Sequence, residues 1–386
     1  MSIIKKKKIF YWSPCLNPVG TVISTLNSAI SLNKYGQKDY EIYLINSCGE
    51  WNEYKEKLKK NNINIISFNN DIFKYLPKRG YIQSRFSYLI IFIFSFFPLK
   101  KLLYKQEPSF LVIHLISSLP LILLTLFKFN TSFILRISGM PKLNIFRRSL
   151  WRLVSKKLYC ITSPSEDLRK KLIEKKIFYK EKLFFLPDAI LNLKEFVLKK
   201  NEKNIIKDRF KNKKIIFAAG RLTKQKNFSY LIDEFESFSK INSNFILIIL
   251  GDGEDKILLK NKIYNKGLTE KVILEGQVSN VFKYFKNGEL FILSSLWEEV
   301  GFVIVEAAMS NLFVISSDCP NGPSEFLDKG NNGILFKSNV TGALCSGLIK
   351  YSKLKQKEEM KKKLKKNAKK YTLFYHYLKL IKIIRN

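Results

Sequence analysis

Histidine and paired cysteine are what this sequence of 386 residues has least of. Its two histidines, His114 and His376, supply no imidazole set for a metal. The five cysteines (Cys15, Cys48, Cys160, Cys319, Cys345) are odd in number, scattered, and contain no Cys-x-x-Cys pair. A zinc site and a disulfide framework are therefore not expected, and a reducing cytosol is the natural compartment. Acidic residues are scarce as well, 32 against 68 Lys and Arg, a formal excess of +36. Part of that excess is compositional bias, since Lys, Asn, Ile and Phe are abundant together. The rest creates a positive field that favours anionic membrane surfaces, nucleic acid or polyphosphate ligands. No secretory leader is expected, because the apolar stretch after Lys5–Lys8 is short and runs into Ser13-Pro14.

Long uninterrupted apolar runs are also missing. Phe110 to Phe127 is broken by His114, Ser117, Ser118 and Pro120, and reads as buried strand, turn and helix. Tyr88 to Leu99 is short and flanked by Arg85, Lys100 and Lys101. It belongs to a helix expected over Gln83–Lys105, which is either an ordinary core helix or one lying on a membrane surface.

What is present is ample apolar content, 46%, in a chain long enough for two domains. Strand and helix patterns alternate, which argues for parallel, doubly wound α/β sheets. The first strand, Lys8–Trp12, leads through a Pro/Gly loop ending at Gly20 into a helix over Thr21–Tyr35. That loop is a place where backbone can approach a phosphate, and it lacks the Gly-Lys-Ser/Thr of a Walker loop. Residues 1–190 are expected to form an N-terminal Rossmann-like domain. Residues 191–210, charged and aperiodic, read as a linker. A second Rossmann-like domain is expected over 211–370, and a helix over 371–386 returning to the first.

Most chemistry gathers in the second half. Arg221 and Lys226 stand five apart in a loop that starts at Gly220, after the strand Lys214–Ala218. They offer a planar fork and a mobile point charge for phosphate oxygens. Further on, the buried strand Glu289–Leu293 breaks into an acidic loop and resumes as a helix near Gly301. Glu298 thus lies in the loop and Glu306 about one turn into the helix, eight residues apart. Open α/β sheets bind ligands at such carboxyl ends, and a helix start offers N–H groups to anions. The bland account is that acids near a helix start simply suit its dipole.

Several runs jointly resemble the family-4 glycosyltransferases of GT-B fold: Ala219-Gly220-Arg221 through Lys226-Asn227-Phe228, Leu250-Gly251-Asp252-Gly253, Leu274-Glu275-Gly276, and Ser295-Leu296-Trp297-Glu298 through Glu306-Ala307-Ala308. The run Ser316 to Glu325 is similar to the branch serving bacterial surface polysaccharide and lipopolysaccharide. In the first half the resemblance is looser, through Pro18-Val19-Gly20-Thr21. It implies a retaining, hexosyltransferase-type enzyme, with two Rossmann-like domains facing a central cleft and no metal or other cofactor. The donor would be a nucleoside-diphosphate sugar, and the acceptor a growing glycan or lipid-linked glycan. By the same resemblance Arg221 and Lys226 bind the diphosphate and Glu306 the ribose hydroxyls. Glu298 meets the sugar hydroxyls, backbone at Val300, Gly301 and Phe302 faces sugar and phosphate, Gly20 approaches the phosphate, and His114 lies near the donor sugar. For His114 a buried structural role is the alternative.

The chain departs from the pattern in two places. Val19-Gly20 stands where relatives often pair glycines. Glu299 stands where they often have Gly, which leaves Glu298 or Glu299 for the sugar; the eight-residue offset favours Glu298. The expected setting is cytoplasmic, with peripheral contact to an anionic membrane. Two rivals remain: a nucleotide-sugar 2-epimerase of the same fold, and a basic nucleic-acid-binding protein, for which no RNA motif or recognition-helix pattern speaks.

Overall fold

The computed structural model describes residues 6–16, 20–68, 73, 76, 81–141, 143–203 and 206–385. Pro18 and Val19 of the first loop and Asn204 of the expected linker lie outside the described residues. The chain divides into two compact units, Met1–Ala189 with Leu373–Asn386, and Ile190–Thr372.

The first unit runs β1 (Lys7–Trp12), α1 (Gly20–Gly36), β2 (Tyr40–Asn46), α2 (Lys55–Lys60), β3 (Asn64–Ser67), α3 (Tyr81–Gln106), β4 (Phe110–Ile113), α4 (Ser118–Leu126), β5 (Ser132–Arg136), α5 (Ile145–Ser155), β6 (Cys160–Ser163), α6 (Glu166–Glu174) and β7 (Leu183–Phe185). The second runs α7 (Leu193–Asn201), α8 (Ile206–Arg209), β8 (Lys214–Ala219), α9 (Phe228–Ile241), β9 (Phe245–Leu250), α10 (Lys256–Asn265), β10 (Val272–Gly276), α11 (Phe282–Phe285), β11 (Leu290–Leu293), α12 (Phe302–Met309), β12 (Phe313–Ser317), α13 (Gly322–Phe326), β13 (Ile334–Phe336), α14 (Ala343–Lys353) and α15 (Lys357–Ala368). Helix α16 (Leu373–Arg385) closes the chain in the first unit.

Both sheets are parallel, ordered β3-β2-β1-β4-β5-β6-β7 and β10-β9-β8-β11-β12-β13. Each reverses direction of growth beside its own first strand, at β1/β4 and at β8/β11. A gap opens there at the carboxyl ends, which is where doubly wound sheets take ligands. The strands read as continuous apolar runs because both faces are covered. Ile9 and Tyr11 of β1 join one core with α1 and α16, while Phe10 and Trp12 join the other with α3, α4 and α5. In the second sheet Ile215 and Phe217 face one core and Ile216 and Ala218 the other.

Local chemistry sets many boundaries. Ser165, in extended conformation, accepts from the Leu168 amide and starts α6, with Glu166 and Asp167 in its first turn. The run Phe110–Phe127 divides into β4, a loop and α4, whose Pro120 sits in the first turn where no N–H is needed. A buried polar chain fixes α16 to the first unit. His376 Nδ1 donates to the Pro187 carbonyl (2.7 Å), so Nε2 accepts from Ser28 (2.8 Å), whose oxygen accepts from Tyr11 (2.9 Å). Burial outweighs the carbonyl's pull and drops the His376 pKa to about 4, so the ring stays neutral.

One expectation changes. The stretch 191–210 is no bare linker: it carries α7 and α8 inside the second unit, with Phe196 and Ile206 buried in its core. Its dense charge stays outside while two apolar anchors hold it. Helix α11 begins at Phe282, where the Asn280 side chain accepts from the Phe282 amide (3.0 Å) and ends the preceding loop. Between α15 and α16 the chain makes a 3-10 turn at Lys369–Tyr371.

Candidate functional site

Three loops meet at the carboxyl edge of the second sheet. They follow β8, β11 and β12, and the first two flank the β8/β11 gap. The β8 loop turns through Gly220–Thr223 into a 3-10 turn, Lys224–Lys226, and then Asn227 in left-handed conformation (φ 52°) before α9. The β11 loop, Ser294 to Gly301, is stitched to it. Ser294 Oγ donates to the Lys226 carbonyl (2.7 Å), the Leu296 amide to the Gln225 carbonyl (2.8 Å), and Gln225 Nε2 to the Trp297 carbonyl (2.8 Å).

This stitching places the Lys226 ammonium on Glu298 Oε1, which also accepts from Ser295 Oγ (2.7 Å). The two side chains are only 16% and 9% exposed. A pair this sheltered is held in one geometry, unlike a surface ion pair free to rotate. Glycine is required under it. A Cβ on Gly220 would stand 2.8 Å from Lys226 Cε, and one on Gly251 would stand 1.9 Å from the Gly220 carbonyl oxygen.

The β12 loop supports the acidic loop from its other side. Ser317 Oγ donates to the Ser295 carbonyl (2.7 Å), Asn321 Nδ2 to the Glu298 carbonyl (3.3 Å), and the Gly322 amide to the Glu299 carbonyl (2.5 Å). A Cβ on Gly322 would lie 1.9 Å from that same carbonyl oxygen. Buried Cys319 stands close enough for Glu298 and Lys226 to act on its thiol, which burial pushes up to about 11. These supports were not legible beforehand, because serines and a Cys-Pro-Asn-Gly turn carry no signature of what they will touch.

The structure thus brings Gly220, Lys226 and Glu298 together, and Glu298, not Glu299, faces the lysine. Arg221 is exposed on the same loop, and no ion pair among the described residues engages it. Val300 is buried, Gly301 (φ 73°) is the left-handed residue that starts α12, and Phe302 is its first residue. Glu306 lies one turn further, partly buried, with no hydrogen bond to its carboxylate from the described residues. Burial raises its pKa from 4.5 to about 7, offset in part by Lys199 of α7. Nothing in the sequence points to Lys199, since its stretch reads as linker.

Gly20 and His114 belong to the first unit. Gly20 opens α1, with nothing within 4 Å of a would-be Cβ. His114 follows β4, its amide donating to the Trp12 carbonyl (2.9 Å), beside the β1/β4 gap. Its ring is buried, and neither nitrogen has a hydrogen-bond partner among the described residues. Burial, with Arg136 nearby, holds its pKa well below the usual value, so the imidazole is neutral. Among the described residues no group of three or more His, Cys, Asp or Glu is placed to hold a metal ion.

Two Rossmann-like units of 7 and 6 parallel strands define the GT-B fold. Residues 199–371, nearly the whole second unit, match the family model described as Glycosyl transferases group 1. An uncharacterized glycosyltransferase of Methanocaldococcus jannaschii is 33% identical over 251 residues, 60% of this chain and 61% of that protein. The N-acetylgalactosamine-N,N'-diacetylbacillosaminyl-diphospho-undecaprenol 4-alpha-N-acetylgalactosaminyltransferase of Campylobacter jejuni is 26% identical over 248 residues, 62% of this chain and 65% of that protein. The chain therefore matches less than two-thirds of the length of either curated relative. The solved structure of Anabaena HepE in complex with UDP superposes with a TM-score of 0.71 at 14% identity, covering 99% of this chain and 100% of that one. In fold and in family match the chain is like glycosyltransferases.

Proposed function

We propose that this chain is a glycosyltransferase that moves a sugar, with retention, from a nucleoside-diphosphate sugar to a glycan or lipid-linked acceptor in surface-polysaccharide synthesis, as family-4 enzymes do. The observation that carries the reading is the sheltered Lys226–Glu298–Ser295 cluster at the β8/β11 gap, with Glu306 one turn into the next helix. In sugar transfer, charge builds on the leaving diphosphate while the sugar carbon becomes oxocarbenium-like. A cation already fixed in place lowers that barrier without reorganisation. Lys226 and exposed Arg221 serve the diphosphate, and Glu298 turns from the ammonium toward sugar hydroxyls. Glu306 takes the ribose hydroxyls and His114 a hydroxyl of the donor sugar. Gly20 and the backbone at Val300, Gly301 and Phe302 leave room for phosphate and sugar. The cations do the work a metal would otherwise do, so added chelator leaves the rate unchanged.

The Campylobacter relative's name points to a lipid-diphosphate acceptor and the Anabaena structure to a uridine nucleotide. Five free thiols and the positive charge fit a cytoplasmic protein bound peripherally at an anionic membrane face. The test is a panel of UDP-, GDP- and ADP-sugars scored by thermal shift and by turnover with and without acceptor. One donor should raise the melting temperature and be consumed only with acceptor. Failure of every donor to bind, or an epimeric nucleotide sugar formed without acceptor, overturns the proposal.

A further inference from the structure

Helix α3 is apolar on both of its sides. Ser87, Ile91, Ser95, Leu99 and Leu103, four apart in succession, are buried against the first unit. On the opposite side Phe86, Leu89, Ile93, Phe97 and Tyr104 are exposed, Phe97 to 73%. A helix apolar all round belongs in a deep core or in a membrane. The segment Arg85–Gln106 is long and apolar enough to cross one. Crossing is ruled out by its inward stripe, since Leu99 and Leu103 share a core with β1 and β4. What remains for the outer stripe is the interfacial plane.

Helix α5 repeats the arrangement. Trp151 and Val154 enter the same core, while Ile145, Phe146 and Leu153 are exposed, Ile145 to 87%. Helix α4 packs against both α3 and α5, and its Leu126 is exposed as well. All three helices cover one face of the sheet, so their outer sides form one layer. Charge on this layer has one sign. Helices α3 and α5 carry four and three Lys or Arg respectively, and none of α3, α4 and α5 holds an Asp or Glu. An open groove of about 780 Å³ on α3 has Phe97, Pro98 and Tyr104 as its apolar part and Lys100, Lys101 and Lys105 as its cations.

We infer that the outer sides of α3 and α5 form one docking face for an anionic lipid bilayer. Their exposed apolar side chains enter the headgroup region, and Lys101, Lys105, Arg148 and Arg152 reach the lipid phosphates. The inference rests on the peripheral-membrane part of the proposed function and names its surface. A bilayer fits better than nucleic acid because the exposed groups between the cations include Ile and Leu, which neither stack on bases nor bind phosphate.

The test is flotation of the full chain with vesicles of phosphatidylcholine alone or enriched in phosphatidylglycerol, at physiological salt. UDP binding is measured in parallel, and a gel shift with single-stranded RNA is run alongside. The chain should float only with the anionic vesicles. The pairs Ile93→Asn with Phe97→Asn, Ile145→Asn with Phe146→Asn, and Arg148→Gln with Arg152→Gln should each weaken vesicle binding at least about tenfold. All sit on exposed positions, so UDP affinity and melting temperature should hold. If the α5 pairs float like the parent, the inference falls while peripheral binding stands. If the parent floats with neither vesicle, or prefers RNA, both fall, and unchanged UDP binding still supports the transferase reading.

Discussion

The carboxyl edges of the two sheets share a strand order yet are furnished oppositely. In the second unit the edge at β8/β11 carries a fixed cation–carboxylate pair braced by serines from two loops. In the first unit the charges near the edge are spent on structure. Arg136 is buried against Asp188 and the Leu186 carbonyl, and Ser24 also donates to Asp188. Among the described residues, what remains at the β1/β4 gap is uncharged: a glycine and a neutral imidazole. The same topology therefore supports two chemistries, because topology fixes where loops converge and the loops fix what they present.

That contrast breaks most readily at Lys226. Lys226→Met keeps the aliphatic stem over Gly220 and removes the charge, and donor turnover should fall about 10²–10³-fold. A rate near the parent's would mean the pair is structural. Next is the brace. Gly322→Ala forces its Cβ against the Glu299 carbonyl and should cost about 1–3 kcal/mol of stability, read by denaturant unfolding, with turnover lost as the acidic loop shifts. Gly20→Ala in the first unit meets nothing and should change stability by less than about 0.5 kcal/mol, while raising the donor KM if Gly20 faces phosphate.

A pH effect follows from Glu306. Its carboxyl is protonated below about 7 and ionised above, and only the carboxylate accepts from two ribose hydroxyls. Donor affinity should rise up to about tenfold between pH 6 and 8, and Glu306→Gln should flatten the titration curve. The sign is opposite for stability. The folded state holds this proton more tightly than the unfolded chain, so the contribution falls as pH rises from 4.5 toward 7. Glu50, also raised to about 7 by burial despite amides of Ser47 and Cys48, adds to the same trend. The smallest expected change is at His114. His114→Phe removes two buried nitrogens without partners, so the melting temperature should stay or rise. Turnover should still drop several-fold; an unchanged rate would make the ring mere packing.

Much of this was legible along the chain. Continuous apolar strands such as Phe245–Leu250, the Ser165 cap and the Gly220-to-Asn227 turn are local signals, and local physics kept them in place. The burial of helix α5 was not legible, since its apolar arc runs from outward-facing Ile145, Phe146 and Leu153 round to inward-facing Trp151 and Val154, and only packing decides which part is covered. The strand β13 was too short to register, and α7 hid behind its lysines with Phe196 as its one buried residue.

The sequence by itself determined two α/β units, their loops at strand ends, and a surplus of cations, because strand period, capping and charge are properties of neighbouring residues. Only the tertiary structure decided that Lys226 would close on Glu298, 72 positions away, that Gly322 would press on the acidic loop, and that α3 would keep an apolar side uncovered. Those outcomes depend on which loops converge and which surfaces are left over once the cores have filled, and no window of sequence contains that information.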